Sequence, residues 1–191
     1  LGLEYCQECG HGQLTNFVAP DILFKNYLYA SGTSNTLKNY FISFANAILD
    51  NHGEGIRVLD IASNDGSFIS ALMGVGIEYV IGIDPAENLV TKANKAGYKT
   101  ICDFFPSEKL SEKFDVITAM NVCAHNPEPI KFLLGIKNSL EKEGVAYIQT
   151  SQALMLNSGE FDTIYHEHVN FFNANSMNKL AQRVGLNVID V

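Results

Sequence analysis

The sequence lacks the features of a membrane, nucleic-acid-binding or disulfide-stabilised protein. Its apolar runs all fall short of the roughly 18 residues that a bilayer-spanning helix needs. Lys and Arg number 13 against 21 Asp and Glu, giving a formal net charge of −8. This balance, with no basic stripe, disfavours a nucleic-acid partner. Four cysteines in 191 residues are too few for a disulfide scaffold, so we expect a reduced, cytoplasmic protein, or a piece of one.

Short apolar runs alternate with helically spaced segments from residue 35 to residue 191. The predicted helices are 35–50, 67–75, 87–95, 129–140 and 176–184, and the predicted strands are 57–62, 79–84, 99–102, 114–120, 144–150 and 186–191. Such alternation is typical of βαβ units. We therefore expect an α/β fold with a mostly parallel sheet and helices on both faces. Residues 1–30 are turn-rich and show no clear period.

The segment VLDIASNDGSF joins the first predicted strand to its helix, where a parallel sheet commonly binds ligands. Asp60 lies at the end of that strand. Asn64, Asp65 and Gly66 can form a tight turn that directs backbone N–H groups toward a ligand. The segment keeps only one of the three glycines of a dinucleotide fingerprint, which disfavours NAD as the cofactor.

Two further acidic residues follow the next two predicted strands. Asp84 ends the second strand, and a carboxylate there commonly accepts hydrogen bonds from ribose hydroxyls. Asp103 follows the third strand, where it and Phe104 can bracket an adenine amine and ring face. Each acid alone also fits a capping role at a turn or helix. Three acids at three successive strand ends favour a nucleoside-type ligand.

The segment FDTIYHEHVNFF (161–172) is the most unusual stretch of the chain. Its histidines, His166 and His168, are two residues apart, whereas the metal-binding motif H-E-x-x-H places them one helical turn apart. A metal site is therefore the weaker interpretation. Glu167 beside His168 better suits a histidine tuned for proton transfer near neutral pH. The alternative is a pair of partly exposed loop histidines.

The turn and the strand-end acids resemble those of class I S-adenosylmethionine-dependent methyltransferases, over approximately residues 35–191. The resemblance implies a Rossmann-like fold and S-adenosylmethionine as the cofactor. It places the amino-acid part of the cofactor at the turn, the ribose at Asp84 and the adenine near Asp103. The segment NVCAH (121–125) would lie near the sulfonium, although His125 also suits a capping role. The implied cofactor residues are Asp60, Ala62, Asn64, Asp65, Gly66, Asp84, Pro85, Asp103, Phe104, Asn121 and His125.

The segment IYHEHVNFF resembles the hallmark of sugar C-methyltransferases, which methylate nucleotide-linked keto-deoxysugars. CQECGHGQL and FKNYLYASGTSNT resemble the end of that family's zinc module and the stretch after it. The resemblance implies His168 as the base and Glu167 as the group that orients it or binds a sugar hydroxyl. Tyr165, with Tyr27 or Tyr29, would donate to an enolate oxygen.

The same resemblance implies a small-molecule nucleotide-sugar substrate and a domain division. Residues 1–30 would be the remnant of the zinc module and its linker, with Cys6 and Cys9 as ligands and His11 as a substitute third. Residues 31–191 would be the methyltransferase domain, with a sheet that is incomplete at its C-terminal end. Two other interpretations stay open, namely an O- or N-methyltransferase of a small metabolite and a non-catalytic domain that retains the cofactor fold.

Overall fold

The computed structural model describes residues 2–151, 153, 158–159 and 164–191. In chain order the strands are β1 (Leu3–Tyr5), β2 (Gly12–Leu14), β3 (Arg57–Ile61), β4 (Tyr79–Asp84), β5 (Thr100–Cys102), β6 (Phe114–Met120), β7 (Leu140–Gln149) and β8 (Asn170–Phe171). The α-helices are α1 (Pro20–Phe24), α2 (Asn35–His52), α3 (Ser67–Gly74), α4 (Glu87–Lys95), α5 (Pro129–Ser139) and α6 (Ala174–Val184). Short 3₁₀ helices cover Ser31–Thr33 and Cys123–His125.

The contacts divide the chain into two compact units. One contains Phe24–Ala119 and Ser139–Tyr147, and the other contains Leu1–Leu23, Met120–Asn138 and Ile148–Val191. We call the first the sheet unit and the second the histidine unit, and we describe each by itself. The division predicted at residue 30 stays a prediction.

A five-stranded sheet in the order β5-β4-β3-β6-β7 organises the sheet unit. β3 pairs in parallel with β4 and with β6, and β4 pairs in parallel with β5. Val58, Leu59 and Ile83 are at most 1% exposed, as expected for parallel strands that are covered on both faces. The predicted α/β fold with a mostly parallel sheet is confirmed. Because β3 and β4 run in the same direction, their carboxyl ends meet at one edge of the sheet.

The histidine unit contains a small antiparallel sheet that the sequence did not predict. β1 pairs with β2, and β2 pairs with β8, so that Gly12 lies opposite Phe171. Leu14, Phe171 and Ala153 form its buried cluster. Strands of two or three residues are too short to display the period-two alternation by which a strand is recognised.

The predicted strand at 186–191 is wrong. Helix α6 ends at Val184 and is capped by Gly185, which has a φ of +73°, and the residues after it form no strand. Ile189 and Val191 are 78% and 94% exposed. An alternating apolar pattern produces a strand only where a neighbouring strand accepts its hydrogen bonds, and no described strand pairs with this segment.

Within the described part of the chain, no helix has the length and apolar character that crossing a bilayer requires.

Gly82 on β4 permits the close approach of the loop that follows β3. A Cβ atom at Gly82 would lie 2.7 Å from Ile69 Cδ1 and 2.8 Å from Ser63 Cβ. We expect Gly82→Ala to lower the free energy of unfolding by about 1–3 kcal/mol through overpacking, as measured by urea denaturation. Gly74, where an added Cβ meets nothing within 4 Å, provides the control, and Gly74→Ala should leave stability unchanged or raise it. Equal stability of the two variants would contradict the close approach.

Candidate functional site

The turn at residues 62–66, which we call the cofactor turn, is fastened to the end of β4. The N–H of Ala62 donates to the Ile83 carbonyl at 2.8 Å, and the N–H of Asn64 donates to Asp84 Oδ2 at 2.9 Å. Ala62 and Asn64 have φ values of +59° and +53°. Residues other than glycine rarely adopt this left-handed conformation, and it is concentrated at functional sites.

Asp84 connects the cofactor turn to the start of α4. Its Oδ2 accepts the N–H of Asn64, and its Oδ1 accepts the N–H of Ala86 at 2.8 Å. Burial raises the pKa of Asp84, although both backbone hydrogen bonds act to lower it. A carboxylate oxygen has two acceptor positions, so Asp84 retains capacity for a ribose hydroxyl, the role predicted for it.

Asp60 lies inside the sheet. Asp60 is only 2% exposed, and Thr118 Oγ1 donates to its Oδ1 at 2.8 Å. Burial raises the pKa of Asp60 to about 7, while the Thr118 hydrogen bond opposes the rise and the nearby charge of Asp84 adds to it. Asp60 therefore supports the strand end from within the sheet, and its carboxyl group changes protonation state near neutral pH.

Asp65 is held by two side chains. Ser67 Oγ donates to its Oδ1 at 2.5 Å, and Lys92 Nζ lies 2.8 Å from its Oδ2. Burial acts to raise the pKa of Asp65, but the hydrogen bonds from Lys92 and Ser67 outweigh it and hold the pKa below its ordinary value. Asp65 is therefore ionised at neutral pH. Gly66 ends the cofactor turn with a φ of +78° and is the N-terminal cap residue of α3.

The loop after β5 joins the same edge of the sheet. The N–H of Asp103 donates to the Asp84 carbonyl at 3.1 Å. The Asp103 carboxylate accepts from the N–H of Phe104 and from Ser107 Oγ. The Ser107 hydrogen bond, together with Lys109, lowers the pKa of Asp103. Phe104 is half-buried, as is Pro85 directly after β4, so the predicted cofactor residues of these two loops follow neighbouring strands at one sheet edge.

Tyr27 and Tyr29 belong to the sheet unit. The carbonyl of Tyr29 accepts Asn64 Nδ2 at 3.0 Å, while its side chain is 52% exposed. The Tyr27 ring packs edge-on against Phe24 with centroids 5.7 Å apart. Their roles as donors to an enolate oxygen stay predictions.

His168 lies among polar and aromatic groups of the histidine unit. The Tyr165 hydroxyl is 3.1 Å from its Nε2, and Ser151 Oγ is 3.3 Å from each ring nitrogen. The rings of His125 and His168 meet edge to face, with centroids 5.0 Å apart. Burial acts to raise the pKa of Tyr165, and the charge of Glu167 adds to the effect. The Tyr165 phenol is therefore protonated at neutral pH.

His125, on the 3₁₀ helix after β6, is neutral at physiological pH. Burial, with a smaller contribution from the charge of the neighbouring His168, lowers its pKa to about 4. Glu167 Oε2 is 4.0 Å from His125 Nδ1, so Glu167 approaches His125 as well as following His168 in sequence. Asn121 directly follows β6 and has a φ of +54°, and its N–H donates to the Gln149 carbonyl.

Sequence reasoning missed the residue that anchors this segment. Asn170 is fully buried; its Oδ1 lies 3.1 Å from His11 Nε2, and its Nδ2 donates to the Asn126 carbonyl at 2.7 Å. Because a carbonyl only accepts, the Asn170 amide orientation is determined, and His11 Nε2 must carry a hydrogen. The motif NFF offered no signal for this role, because the partner residues lie 44 and 159 positions away.

The cysteine pair does not complete a metal site by itself. Two hydrogen bonds with Cys9 lower the pKa of Cys6. The larger effect comes from the Cys9 backbone and the smaller one from the Cys9 side chain. His11, the expected substitute ligand, is occupied at Nε2 by Asn170. Among the described residues no group of three or more His, Cys, Asp or Glu side chains is arranged to hold a metal, and a structural zinc ion needs four ligands. Zinc binding at Cys6 and Cys9 stays a prediction.

A family model described as a methyltransferase domain matches residues 35–191. The chain is 28% identical over 200 residues to the C-methyltransferase NovU of Streptomyces niveus, covering 100% of this chain and 47% of that protein. It is 32% identical over 108 residues to the ubiquinone biosynthesis O-methyltransferase of Glaesserella parasuis serovar 5 (strain SH0165), covering 50% of this chain and 45% of that protein. The chain thus spans about half the length of these curated relatives.

The plantazolicin methyltransferase BamL, solved with a triazolic desmethylPZN analog and SAH, matches the fold. Its TM-score is 0.64 at 19% identity, over 79% of this chain and 63% of that one. At this identity the likeness concerns the fold alone, and it confirms the predicted Rossmann-like class I arrangement.

Asp60 gives a pH dependence to folding. Its pKa in the folded protein, about 7, exceeds the value of about 4 for an unfolded chain. The folded state therefore holds an extra proton between these pH values, and stability contributed by Asp60 falls as the pH rises from 4 to 7. We expect Asp60→Asn to remove this slope, a difference of roughly 4 kcal/mol across the range, as measured by urea unfolding without cofactor.

Asp103→Asn provides a control of opposite sign. The pKa of Asp103 is lowered, so its stabilisation is present at neutral pH and is lost as the pH falls through its folded-state pKa. The variant should be less stable than the wild type at pH 7 and equal to it in acid. Parallel stability profiles for the wild type and Asp60→Asn would contradict the position of Asp60.

Proposed function

The chain belongs to the methyltransferase domain family, whose members use S-adenosylmethionine, and from that premise we propose that it is the core of a C-methyltransferase. The proposed substrate is a nucleotide-linked keto-deoxysugar, methylated on carbon through an enolate. Similarity to a C-methyltransferase along the entire chain supports carbon as the acceptor. The observation that carries the proposal is the surroundings of His168, namely a phenol, a serine hydroxyl and a second imidazole.

The cofactor turn supplies the groups that would hold the donor. Bound S-adenosylmethionine supplies an electrophilic methyl group on a positively charged sulfur. Asp84 offers its remaining acceptor positions to the ribose hydroxyls. Asp103 would bind the adenine amine, and Phe104 would contact the face of the adenine ring. The backbone of the turn at Ala62–Gly66 is preorganised by its bonds to β4, so little conformational freedom is lost when the ligand binds.

Carbon becomes nucleophilic only when an adjacent carbonyl acidifies its C–H bond. We assign His168 as the base that removes this proton. In this role His168 Nε2 would donate its hydrogen to the Tyr165 hydroxyl oxygen, 3.1 Å away, which leaves His168 Nδ1 unprotonated to take the substrate proton and leaves the phenol hydrogen for the substrate oxygen. His125, with its pKa near 4, places no positive charge beside the base at neutral pH. His168 would return its proton to solvent after methyl transfer.

Negative charge develops on the carbonyl oxygen as the proton leaves. Tyr165 retains its proton at neutral pH because burial and Glu167 raise its pKa. A protonated phenol can donate a hydrogen bond to that oxygen, as oxyanion donors do in acyl transfer. Glu167 would orient the histidine pair or accept a sugar hydroxyl. Tyr27 and Tyr29 remain the proposed further donors.

An O-methyltransferase is the second candidate, because the chain is 32% identical to one such enzyme over half its length. That enzyme class can share the cofactor residues, and the two candidates differ in the meaning of residues 164–168. Methylation at oxygen needs a base for a hydroxyl and no enolate. The position of the new methyl group in the product, determined by carbon NMR, separates the two.

We expect His168→Ala to slow methyl transfer by a factor of about 10²–10⁴, the usual contribution of a general base. The variant should also lose exchange of the substrate α-hydrogen with deuterium in D₂O, because that exchange reports enolate formation. The assay uses a nucleotide-linked keto-deoxysugar and labelled S-adenosylmethionine, with proton NMR for the exchange.

His166→Ala is the matched control, since His166 is an exposed histidine of the same segment. It should keep both activities near the wild-type level. Wild-type exchange by His168→Ala would remove His168 from the role of base. A product methylated on oxygen by the wild type would overturn the C-methyltransferase assignment while leaving the cofactor site intact.

A further inference from the structure

Residues 25–32 of the sheet unit, which we call the strap, are bound to the cofactor turn and to α4 through backbone groups. The strap has little regular structure of its own, since the 3₁₀ turn at Ser31–Thr33 only begins at its end. Its position therefore depends on the side chains and backbone groups that bind it. These anchors come from two elements that flank the predicted cofactor site.

The first anchor is Asn88 on α4. The N–H of Tyr27 donates to Asn88 Oδ1 at 3.2 Å, and Asn88 Nδ2 donates to the Tyr27 carbonyl at 2.8 Å. One side-chain amide thus satisfies both backbone groups of Tyr27, as a neighbouring strand would. One residue earlier on α4, the N–H of Glu87 donates to the Lys25 carbonyl at 3.1 Å.

The second anchor is Asn64 of the cofactor turn. Its Oδ1 accepts the N–H of Ser31 at 2.9 Å, and its Nδ2 donates to the Tyr29 carbonyl at 3.0 Å. The same Oδ1 also accepts the N–H of Asp65 at 2.9 Å. The strap therefore binds a residue whose left-handed backbone shapes the turn, and release of the strap would remove two of the bonds that hold Asn64.

The third anchor is a close approach at Gly32. Its backbone hydrogen-bonds to Asp65 and helps to lower the pKa of that carboxyl. A Cβ atom at Gly32 would lie 2.6 Å from Ser67 Oγ and 2.9 Å from Asp65 Oδ2. At this point the strap touches the cofactor turn so closely that it has no room for a side chain.

We propose that the strap closes the cofactor site and that Asn88 is a positioning residue that keeps it closed, thereby slowing dissociation of the adenosyl ligand. Loss of the Asn88 clamp removes both of its hydrogen bonds to the Tyr27 backbone and allows the strap to separate from the turn. Asn64 then loses its outer bonds, and the turn loses rigidity. The inference rests on the proposed function, because it assumes an adenosyl ligand at the turn.

Asn88 is well suited to substitution because it is exposed, so its replacement leaves the core intact. Loss of two net hydrogen bonds of ordinary strength corresponds to a factor of about 5–150 in an equilibrium between closed and open states. We expect Asn88→Ala to raise the dissociation rate of S-adenosylhomocysteine by a factor in that range. Asn88→Asp keeps the acceptor for the Tyr27 N–H and loses the donor to the Tyr27 carbonyl. Its dissociation rate should therefore lie between those of the wild type and Asn88→Ala.

Asn94 provides a matched control on the same helix. Its Oδ1 accepts the N–H of Thr100 at 3.0 Å, and its Nδ2 donates to the Thr100 carbonyl at 2.9 Å. Asn94→Ala therefore removes the same pair of bonds from an exposed asparagine, but it releases β5 and not the strap. Thermal unfolding should show similar losses of stability for Asn88→Ala and Asn94→Ala.

The experiment is stopped-flow displacement of S-adenosylhomocysteine by excess S-adenosylmethionine from the wild type and the three variants. Faster release from Asn88→Ala, with Asn94→Ala within about twofold of the wild type, would support the strap. Equal rates for Asn88→Ala and Asn94→Ala, whether slow or fast, would overturn it. Failure of the wild type to bind S-adenosylhomocysteine at all would overturn the proposed function, an outcome distinct from equal rates among proteins that bind.

Discussion

A single buried residue, Asp84, holds the loops that carry the predicted cofactor residues. Asp84 accepts the N–H of Asn64 with one oxygen and the N–H of Ala86 with the other, while its carbonyl accepts the N–H of Asp103. Loops that follow three parallel strands therefore meet at one residue. Burial raises the pKa of Asp84, and a buried carboxylate with satisfied oxygens is costly to move. The left-handed conformations of Ala62 and Asn64 persist because this anchoring opposes their relaxation.

The histidine unit is also held together by a buried polar side chain that binds distant segments, and here that side chain is an uncharged amide. Asn170 is buried between His11 and the Asn126 carbonyl, and the N–H of Val169 donates to the Ala124 carbonyl at 2.8 Å. Residues next to His125 and His168 are therefore bound to each other through the backbone. The two imidazoles keep their edge-to-face contact because the residues on either side of His125 are bound to the two residues that follow His168.

The alternation of strands and helices could be predicted because parallel strands must be apolar and helices amphipathic. The boundaries of β4, α4 and β6 agree with the prediction, since each is long enough to display its period. β1, β2 and β8 could not be found, because two or three residues carry no period and their pairing depends on contacts distant in sequence. The strand predicted at 186–191 failed for the complementary reason, since a pattern alone supplies no pairing partner.

The candidate site divides in the same way. The sequence by itself determined which chemical groups are available, namely acids at successive strand ends and a Tyr-His-Glu-His segment, because these follow from residue type and position in the repeat. Only the tertiary structure decided how each group behaves. Asp60 and Asp65 are only five positions apart in sequence. Asp60 is nevertheless desolvated inside the sheet, which raises its pKa, whereas Asp65 is ionised and paired with Lys92. Burial and charge partners arise from contacts across the fold, and these set the protonation state that the chemistry uses.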